Sequence, residues 1–382
     1  MSDNVTKMHP SGKKGMGQRW MLLAGIVLAA AIVAALYFFR DTDNANASGE
    51  TVSTGAVDDA FSFDAHSGNQ YANVNGGLAI ASVSGLNVYN ADGTERTVLQ
   101  SAMTTPNIQS AGDLALAYDA GGYSLLTAGK GSGAKLDVTT AKPLLDADLS
   151  PDGYVCYSTS ESGYKSVLYV CNPSGTTVYR WLSSSQYLPT CTVSKGGAYL
   201  AAVALGQENG IFESRLVVFR TDSEEIYSSI TLGNELFYDL EFLDGDILCA
   251  VGESSCMWLK MDGTLLGRYS YGGAYLKDFD FGGDGFLTLS LNMYKAGNRC
   301  TVVTVGSDGK ELGSLYFSEE ILDTSSAGGY VAVLTANGMD LFDKSMERTA
   351  SLDTTQGATA VLARPDGTVV LLSGGTGRVF TP

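Results

Sequence analysis

One pattern of strands and turns repeats from about residue 59 to the C-terminus. Its clearest copy, Leu144–Trp181, is an alternating apolar strand that ends in an Asp-Gly turn, followed by three more short strands. The turn between the first and second strands recurs at Gly76, Asp113, Asp152, Gly196, Asp244, Asp284, Gly328 and Asp366. The intervals average about 41 residues, which is typical of four-stranded propeller blades. The sequence therefore predicts an all-β propeller, and no segment after residue 40 has a sustained helical period.

The number of turns predicts eight blades. Seven is the alternative, because the repeats near Asn107–Thr140 and at the C-terminus are weak and two of them could merge. The last repeat lacks a fourth strand, which would leave an open sheet edge. Residues 60–64 (AFSFD) alternate correctly and belong to no other repeat. We expect them to pair into the last blade and close the ring, so that residues 58–382 form a single domain.

Residues 20–39 form an uncharged apolar run that is long enough to span a bilayer as a helix. Four basic residues precede it and one follows directly, which predicts a cytoplasmic N-terminus. We therefore expect a basic tail (1–19), a transmembrane helix (20–39), a flexible polar tether (40–57) and a propeller outside the cell membrane. The alternative is a secreted protein, since Ala45-Asn46-Ala47 resembles a signal peptidase site.

The charge and the scarcity of histidine exclude several classes of function. The chain carries a net charge of −17, and without its first 40 residues, which hold five basic residues and one acid, the remainder carries −21. Such a surface repels nucleic acid. The two histidines, His9 and His66, cannot form a Ser/His/Asp relay or a zinc site. We therefore predict no catalytic residue, metal or cofactor, and we interpret the seven Asp-Gly pairs as hairpin turns rather than calcium ligands.

Pairs of acids recur on the first strands of three repeats. Spacing by two residues puts both acids of each pair on one strand face, and the first strand of a blade lines the central channel. The pairs are Asp146 and Asp148, Asp239 and Glu241, and Asp278 and Asp280. They predict an electronegative funnel that binds a cation or a basic side chain. The alternative is that these carboxylates accept hydrogen bonds from backbone amides of the neighbouring blade.

The six cysteines raise the question of cross-strand disulfides. Cys156 and Cys171 are symmetric about one possible turn, and Cys249 and Cys256 about another, so each pair is a candidate disulfide. The favoured interpretation is that all six are small buried apolar side chains.

The whole architecture resembles a known group of proteins. A basic tail, one helix, a polar tether and a propeller with a Leu149-Ser150-Pro151-Asp152-Gly153 turn are similar to the membrane-anchored propellers of Clostridia-type bacteria in the domain-of-unknown-function family 5711. The turn also resembles those of WD-repeat-like and quinoprotein-like propellers. No tryptophan is followed by Asp, and the repeated Trp-docking motif of quinoprotein dehydrogenases is absent. The resemblance implies a fold and no established activity.

These observations favour a non-enzymatic binding or scaffold module for a protein or glycan at the cell envelope. The first alternative is a ligand-sensing ectodomain that signals through a partner. The second is a carboxylate-dependent glycan hydrolase or lyase, because paired acids can cleave glycosidic bonds without histidine. The sequence leaves the oligomeric state open.

Overall fold

A computed structural model describes residues 55–129, 134–243 and 246–382. The predicted cytoplasmic tail, membrane helix and nearly all of the predicted tether lie outside these ranges. Within them, no helix has the length and apolar character needed to cross a bilayer. The one helical element described is a short 3-10 turn at Lys195–Gly197.

The described strands form eight four-stranded antiparallel sheets, which are the eight predicted blades. The first described strand, β1 (Ala56–Ser62), belongs to the last blade. Blades 1 and 2 contain β2 (Gln70–Val74), β3 (Gly77–Ser82), β4 (Gly85–Tyr89), β5 (Glu95–Gln100), β6 (Pro106–Ala111), β7 (Leu114–Asp119), β8 (Ser124–Ala128) and β9 (Ala134–Thr139). Blades 3 and 4 contain β10 (Leu144–Leu149), β11 (Val155–Glu161), β12 (Tyr164–Cys171), β13 (Thr177–Ser183), β14 (Tyr187–Val193), β15 (Tyr199–Glu208), β16 (Ile211–Arg220) and β17 (Ile226–Gly233).

The second half of the ring repeats this arrangement. Blades 5 and 6 contain β18 (Phe237–Leu243), β19 (Ile247–Gly252), β20 (Ser255–Lys260), β21 (Leu265–Ser270), β22 (Tyr275–Asp280), β23 (Phe286–Asn292), β24 (Cys300–Gly306) and β25 (Glu311–Phe317). Blade 7 contains β26 (Ile321–Ala327), β27 (Tyr330–Thr335), β28 (Met339–Asp343) and β29 (Arg348–Leu352). Blade 8 combines β30 (Ala360–Ala363), β31 (Val369–Ser373) and β32 (Thr376–Thr381) with β1. The eight-bladed prediction is confirmed and the seven-bladed alternative is wrong.

The ring closes through its first strand. β1 is the outer strand of blade 8 and pairs antiparallel with β32, from Ala56 opposite Thr381 to Ser62 opposite Thr376. Phe61 is 3% exposed and packs with Leu78 and Ile80 of blade 1. The predicted closure is confirmed, although the strand begins before residue 60. Blade 8 is thus completed by both ends of the domain, and β1 covers the edge of β32.

The core lies between the faces of adjacent blades. The apolar clusters each join neighbouring sheets, as where Leu168 of blade 3 packs with Phe219 of blade 4. Trp258 of blade 5 is fully buried in the cluster shared with blade 6. Successive side chains of a strand point to opposite faces of its sheet, and both faces are buried against neighbouring blades. This is why consecutive residues of many strands are apolar in the sequence.

The first strand of each blade lies innermost, and these inner strands run parallel to one another around the channel. Asp146 and Asp148 of β10 accept hydrogen bonds from the backbone N–H groups of Cys191 and Val193 of β14. A step of two residues along β10 therefore matches a step of two residues in the same direction along β14. All inner strands therefore start on one face of the ring. That face also carries the hairpins between second and third strands, whereas the turns between first and second strands lie on the other face.

Candidate functional site

The predicted acid pairs all lie on inner strands, but they play different roles. Asp146 and Asp148 connect blade 3 to blade 4. The Cys191 N–H donates to Asp146 Oδ2 at 2.9 Å, and the Thr192 hydroxyl donates to Asp148 Oδ2 at 2.7 Å. The Tyr118 hydroxyl of blade 2 also donates to Asp146, at 3.0 Å. These two carboxylates therefore hold adjacent inner strands together, as the alternative interpretation predicts.

The same arrangement recurs farther around the ring. Asp278 accepts from the Thr324 hydroxyl at 2.8 Å, and Asp280 accepts from the Ser326 N–H at 2.7 Å. Asp323 of β26, which the sequence reasoning missed, accepts from the Val361 N–H of blade 8 at 2.8 Å. Asp323 occupies the same place in its strand as Asp278. The repeat alignment could have identified it, but it lacks a second acid two residues later.

Asp239 and Glu241 of blade 5 differ from the other four acids. Asp239 accepts a hydrogen bond from the N–H of Leu240, its own neighbour, at 2.7 Å. No described residue donates a hydrogen bond to the Glu241 carboxylate. Both side chains are only partly exposed. The bond between blades that the other acids form is therefore missing at this position, and two carboxylates remain at the channel without a donor from blade 6.

The acids of blades 3 and 5 affect one another across blade 4. Burial, and then the carboxylates of Asp146 and Asp148, raise the pKa of Asp239 to about 7. Burial and the same neighbours hold the pKa of Glu241 well above its usual range. Burial raises the pKa of Asp148 to about 6 despite its hydrogen bonds. This set of four carboxyl groups, Asp146, Asp148, Asp239 and Glu241, is the channel acid cluster.

A hydrogen-bonded path connects the strands that carry this cluster. The Phe242 N–H of β18 donates to Thr192 Oγ1 of β14 at 3.3 Å, and that hydroxyl donates to Asp148 of β10. Blades 3, 4 and 5 are thus joined at the channel through one threonine. In the described part of the chain, no three His, Cys, Asp or Glu side chains are grouped so that they could hold a metal ion.

Neither candidate disulfide has the required register. Cys156 lies opposite Val170, and Cys171 lies opposite Val155, so these two cysteines project from opposite faces of blade 3. Cys249 lies opposite Trp258 and not Cys256, because the hairpin turns one residue later than predicted. All six cysteines are buried free thiols. The disulfide predictions are corrected, and the interpretation as small apolar core residues agrees with the structure.

The Asp-Gly pairs form turns, as predicted, wherever the structure describes them. Asp92, Asp262, Asp308 and Asp366 each accept the backbone N–H two residues later, at 2.9 to 3.1 Å. Only the glycine has positive φ, for example 92° at Gly263, so these are bulged turns rather than two-residue turns. Asp244 and its glycine lie outside the described residues.

These turns, together with the turn that carries Asp222, give one face of the ring a set of exposed acids, the aspartate face. It comprises Asp92, Asp152, Asp222, Asp262, Asp284, Asp308 and Asp366, all in turns between first and second or third and fourth strands. The chain also enters the ring on this face, because Ala56 pairs with the end of β32.

The opposite face carries exposed tyrosines that sequence reasoning missed. They lie at inner-strand starts or in hairpins between second and third strands, and each is 38–56% exposed. This tyrosine face comprises Tyr123, Tyr164, Tyr187, Tyr238, Tyr275 and Tyr294, which belong to blades 2 to 6. Lys165 Nζ lies 4.9 Å from the centroid of the Tyr187 ring. The tyrosines are scattered along the sequence, and only the blade topology brings them to one side.

The solved structures with a similar fold come from proteins of different kinds. The C-terminal WD40 domain of Sif2 matches with a TM-score of 0.60 at 13% identity, over 86% of this chain and 99% of that chain. The quinohemoprotein alcohol dehydrogenase ADHIIG of Pseudomonas putida HK5 matches with a TM-score of 0.54 at 9% identity, over 85% and 76%. Hydrazine synthase of Kuenenia stuttgartiensis matches with a TM-score of 0.50 at 13% identity, over 74% and 97%. At these identities the likeness concerns the fold alone.

A comparison with curated proteins found no match. The model of the family of unknown function DUF5711 matches residues 50–374, which include nearly the whole ring. The chain therefore belongs to the DUF5711 family.

Proposed function

We propose that this protein is an extracytoplasmic binding or scaffold module, held at the membrane by its N-terminal segment, whose tyrosine face binds a protein or glycan of the cell envelope. One observation carries the proposal: six tyrosines from five consecutive blades are exposed on the same face. Single exposed apolar side chains are ordinary, but a set of aromatic side chains on one surface marks interaction sites. Tyrosine suits such a role because its ring is large and rigid and its hydroxyl forms hydrogen bonds.

The rest of the surface supports the choice of this face. Aliphatic neighbours accompany the tyrosines at equivalent places, with Leu145 39% and Leu322 43% exposed at inner-strand starts. The aspartate face is charged instead, and the chain enters the ring there. Ala56, the first residue of β1, lies at the aspartate face and not at the tyrosine face. A ring with one aromatic face, closed by the pairing of β1 with β32, provides a rigid platform for a partner.

The test is affinity capture from solubilised membranes with matched variants. The triple variant Tyr187→Ser, Tyr238→Ser and Tyr275→Ser removes aromatic rings at the starts of three inner strands. The control variant, Tyr227→Ser and Tyr316→Ser, removes exposed tyrosines from the outer strands β17 and β25. We expect the triple variant to lose a specific bound component that the wild type and the control both retain. Equal recovery by all three proteins would refute a role for this face.

A second candidate function, a carboxylate-dependent glycan hydrolase or lyase, is favoured by one specific observation. Asp239 has a pKa of about 7, raised by burial and neighbouring carboxylates, and a general acid at neutral pH needs such a value. A turnover assay on glycans with wild type and Asp239→Asn separates the two functions. Activity lost in Asp239→Asn would favour the enzyme, whereas binding without turnover would favour the module.

A further inference from the structure

The mouth of the channel on the tyrosine face combines aromatic rings with carboxylates. Tyr187, Tyr238 and Tyr275 stand at the starts of β14, β18 and β22, the inner strands of blades 4, 5 and 6. Asp239 follows Tyr238 directly, and Glu241 lies two residues farther along the same strand. A group that enters from this face would meet the tyrosines first and the channel acid cluster next.

We propose that the partner of the tyrosine face presents a segment with exposed arginine or lysine side chains, one of which enters the channel mouth and pairs with Asp239 and Glu241. This inference rests on the proposed binding function of the same face and names the chemistry of the partner. The occupant is a basic protein segment.

The first argument is electrostatic complementarity. The carboxylates of Asp146 and Asp148 in blade 3 lie close enough to raise the pKa of Asp239 and Glu241 in blade 5, so a positive charge among them would relieve this repulsion. The chain beyond residue 40 has a net charge of −21, which attracts a cationic segment over a distance and repels an anionic one.

The second argument is the difference between the two carboxylates of blade 5 and the rest of the cluster. Asp146 and Asp148 are occupied by hydrogen bonds to blade 4. Glu241 has no donor among the described residues, and Asp239 has only the adjacent Leu240 N–H. A partly buried carboxylate without a donor is unfavourable, and the N–H groups of an arginine would supply what is missing.

The third argument comes from the tyrosine rings. The electron-rich face of a tyrosine ring attracts cations. The face already shows such a contact, because Lys165 Nζ lies 4.9 Å from the Tyr187 ring centroid. Tyr238 is within ring contact of Phe279 of blade 6, at 6.2 Å between centroids, so aromatic surface continues across the boundary between two blades.

The experiment measures binding of labelled peptides to the full chain in detergent by fluorescence anisotropy. The probe is a seven-residue peptide with two arginines between leucines, and its counterpart has glutamine in place of arginine. We expect the wild type to bind the arginine peptide about tenfold more tightly than the glutamine peptide. The double variant Asp239→Asn and Glu241→Gln should lose about tenfold in affinity for the arginine peptide and keep its affinity for the glutamine peptide.

A matched charge variant separates specific pairing from general attraction. Asp262→Asn with Asp308→Asn removes the same two charges from the aspartate face. This control should change the affinity for the arginine peptide by less than about twofold. Equal losses in both double variants would show that only net charge matters and would overturn the inference. Equal affinity of the wild type for the two peptides, or failure to bind either, would also overturn it.

The outcome is distinguishable from failure of the proposed function. One result is that the tyrosine variant loses the captured component while the double variant Asp239→Asn and Glu241→Gln retains it. In that case the tyrosine face binds a partner, but the proposal that this partner is a basic segment is wrong. Binding of neutral glycans to the tyrosine face, unaffected by the acid variants, would likewise overturn the basic segment and identify a glycan as the occupant. If the tyrosine variant captures everything that the wild type does, the proposed function itself falls.

Discussion

The substitution Asp239→Asn should stabilise the ring at alkaline pH and hardly change it in acid. The carboxyl of Asp239 has a pKa of about 7 in the folded protein, against an ordinary value of 3.8. Below pH 3.8 the group is protonated in both states. Between pH 3.8 and about 7 the unfolded chain ionises while the folded chain does not, so stability falls as the pH rises. Above pH 7 both states are ionised and the loss is complete.

A difference of about three pKa units corresponds to an upper limit of about 4 kcal/mol. Asp239 is partly exposed to the channel and shares its repulsion with Glu241 and Asp146, so solvent and partial protonation reduce the effect to about 1–2 kcal/mol. Asparagine removes the charge but keeps an oxygen that accepts the Leu240 N–H. The variant should therefore gain about 1–2 kcal/mol at pH 8 and clearly less at pH 4.5, where only the lower part of the interval between pH 3.8 and about 7 has been crossed.

The assay is urea unfolding of the full chain at both pH values, followed by tryptophan fluorescence, since Trp258 is fully buried. The control is Asp262→Asn, because the pKa of Asp262, a turn residue that accepts the Thr264 N–H, is lowered rather than raised. Removal of the Asp262 charge should not stabilise the protein at pH 8. A gain of equal size at pH 4.5 and pH 8 for Asp239→Asn, or a loss at pH 8, would refute the electrostatic reasoning.

Three further predictions concern packing, the blade connections and the thiols. Phe61→Ala should cost about 3–5 kcal/mol in urea unfolding, because it removes a buried ring from the strand that closes blade 8; an unchanged midpoint would contradict the closure. Asp148→Ala should destabilise the ring by about 1–3 kcal/mol, since the Val193 N–H and the Thr192 hydroxyl lose their acceptor, whereas Asp148→Asn keeps one and should cost less. Alkylation of the denatured protein without reductant should label all six cysteines, as measured by mass spectrometry, and any unlabelled pair would reveal a disulfide.

The repeat pattern was sufficient for the ring and its closure. A glycine-containing turn between the first and second strands recurs once per blade, and the alternation in Ala60–Asp64 identified the strand that completes blade 8. Such features are local, and the regular blade turns them into a global arrangement. The order of strands within a blade follows from the short connections, which leave little choice of partner.

The register inside hairpins was less predictable. Cys249 and Cys256 are symmetric about Gly252 and Glu253 in the sequence, but the turn is centred one residue later. A small shift in the pairing register changes every partner along the two strands. When the shift is an odd number of residues, it also moves a side chain to the other face of the sheet, as for Cys156 and Cys171. Turn chemistry of this precision is weakly encoded by residues such as Ser254, which tolerate several turn types.

The roles of the acids and the tyrosine face depended on contacts between blades. Asp148 and Glu241 occupy equivalent places in their strands, yet only Asp148 meets a donor, because Thr192 lies in the next blade. Tyr187 and Tyr275 are 88 residues apart, and their common face appears only when the blades are arranged in a circle. No window along the chain contains that information.

The pairing of β1 with β32 also sets the order in which the protein must fold. Ala56 and its partner Thr381 are separated by 325 residues, so this contact is among the most non-local in the domain. Because the chain is synthesised from its N-terminus, β1 is made first. It cannot bury Phe61 in blade 8 until β32 has been made. Blades 1 to 7 can stack on their neighbours earlier, as repeat units do. Closure of the ring is thus a late step of folding, and until then the unpaired β1 can pair with another chain.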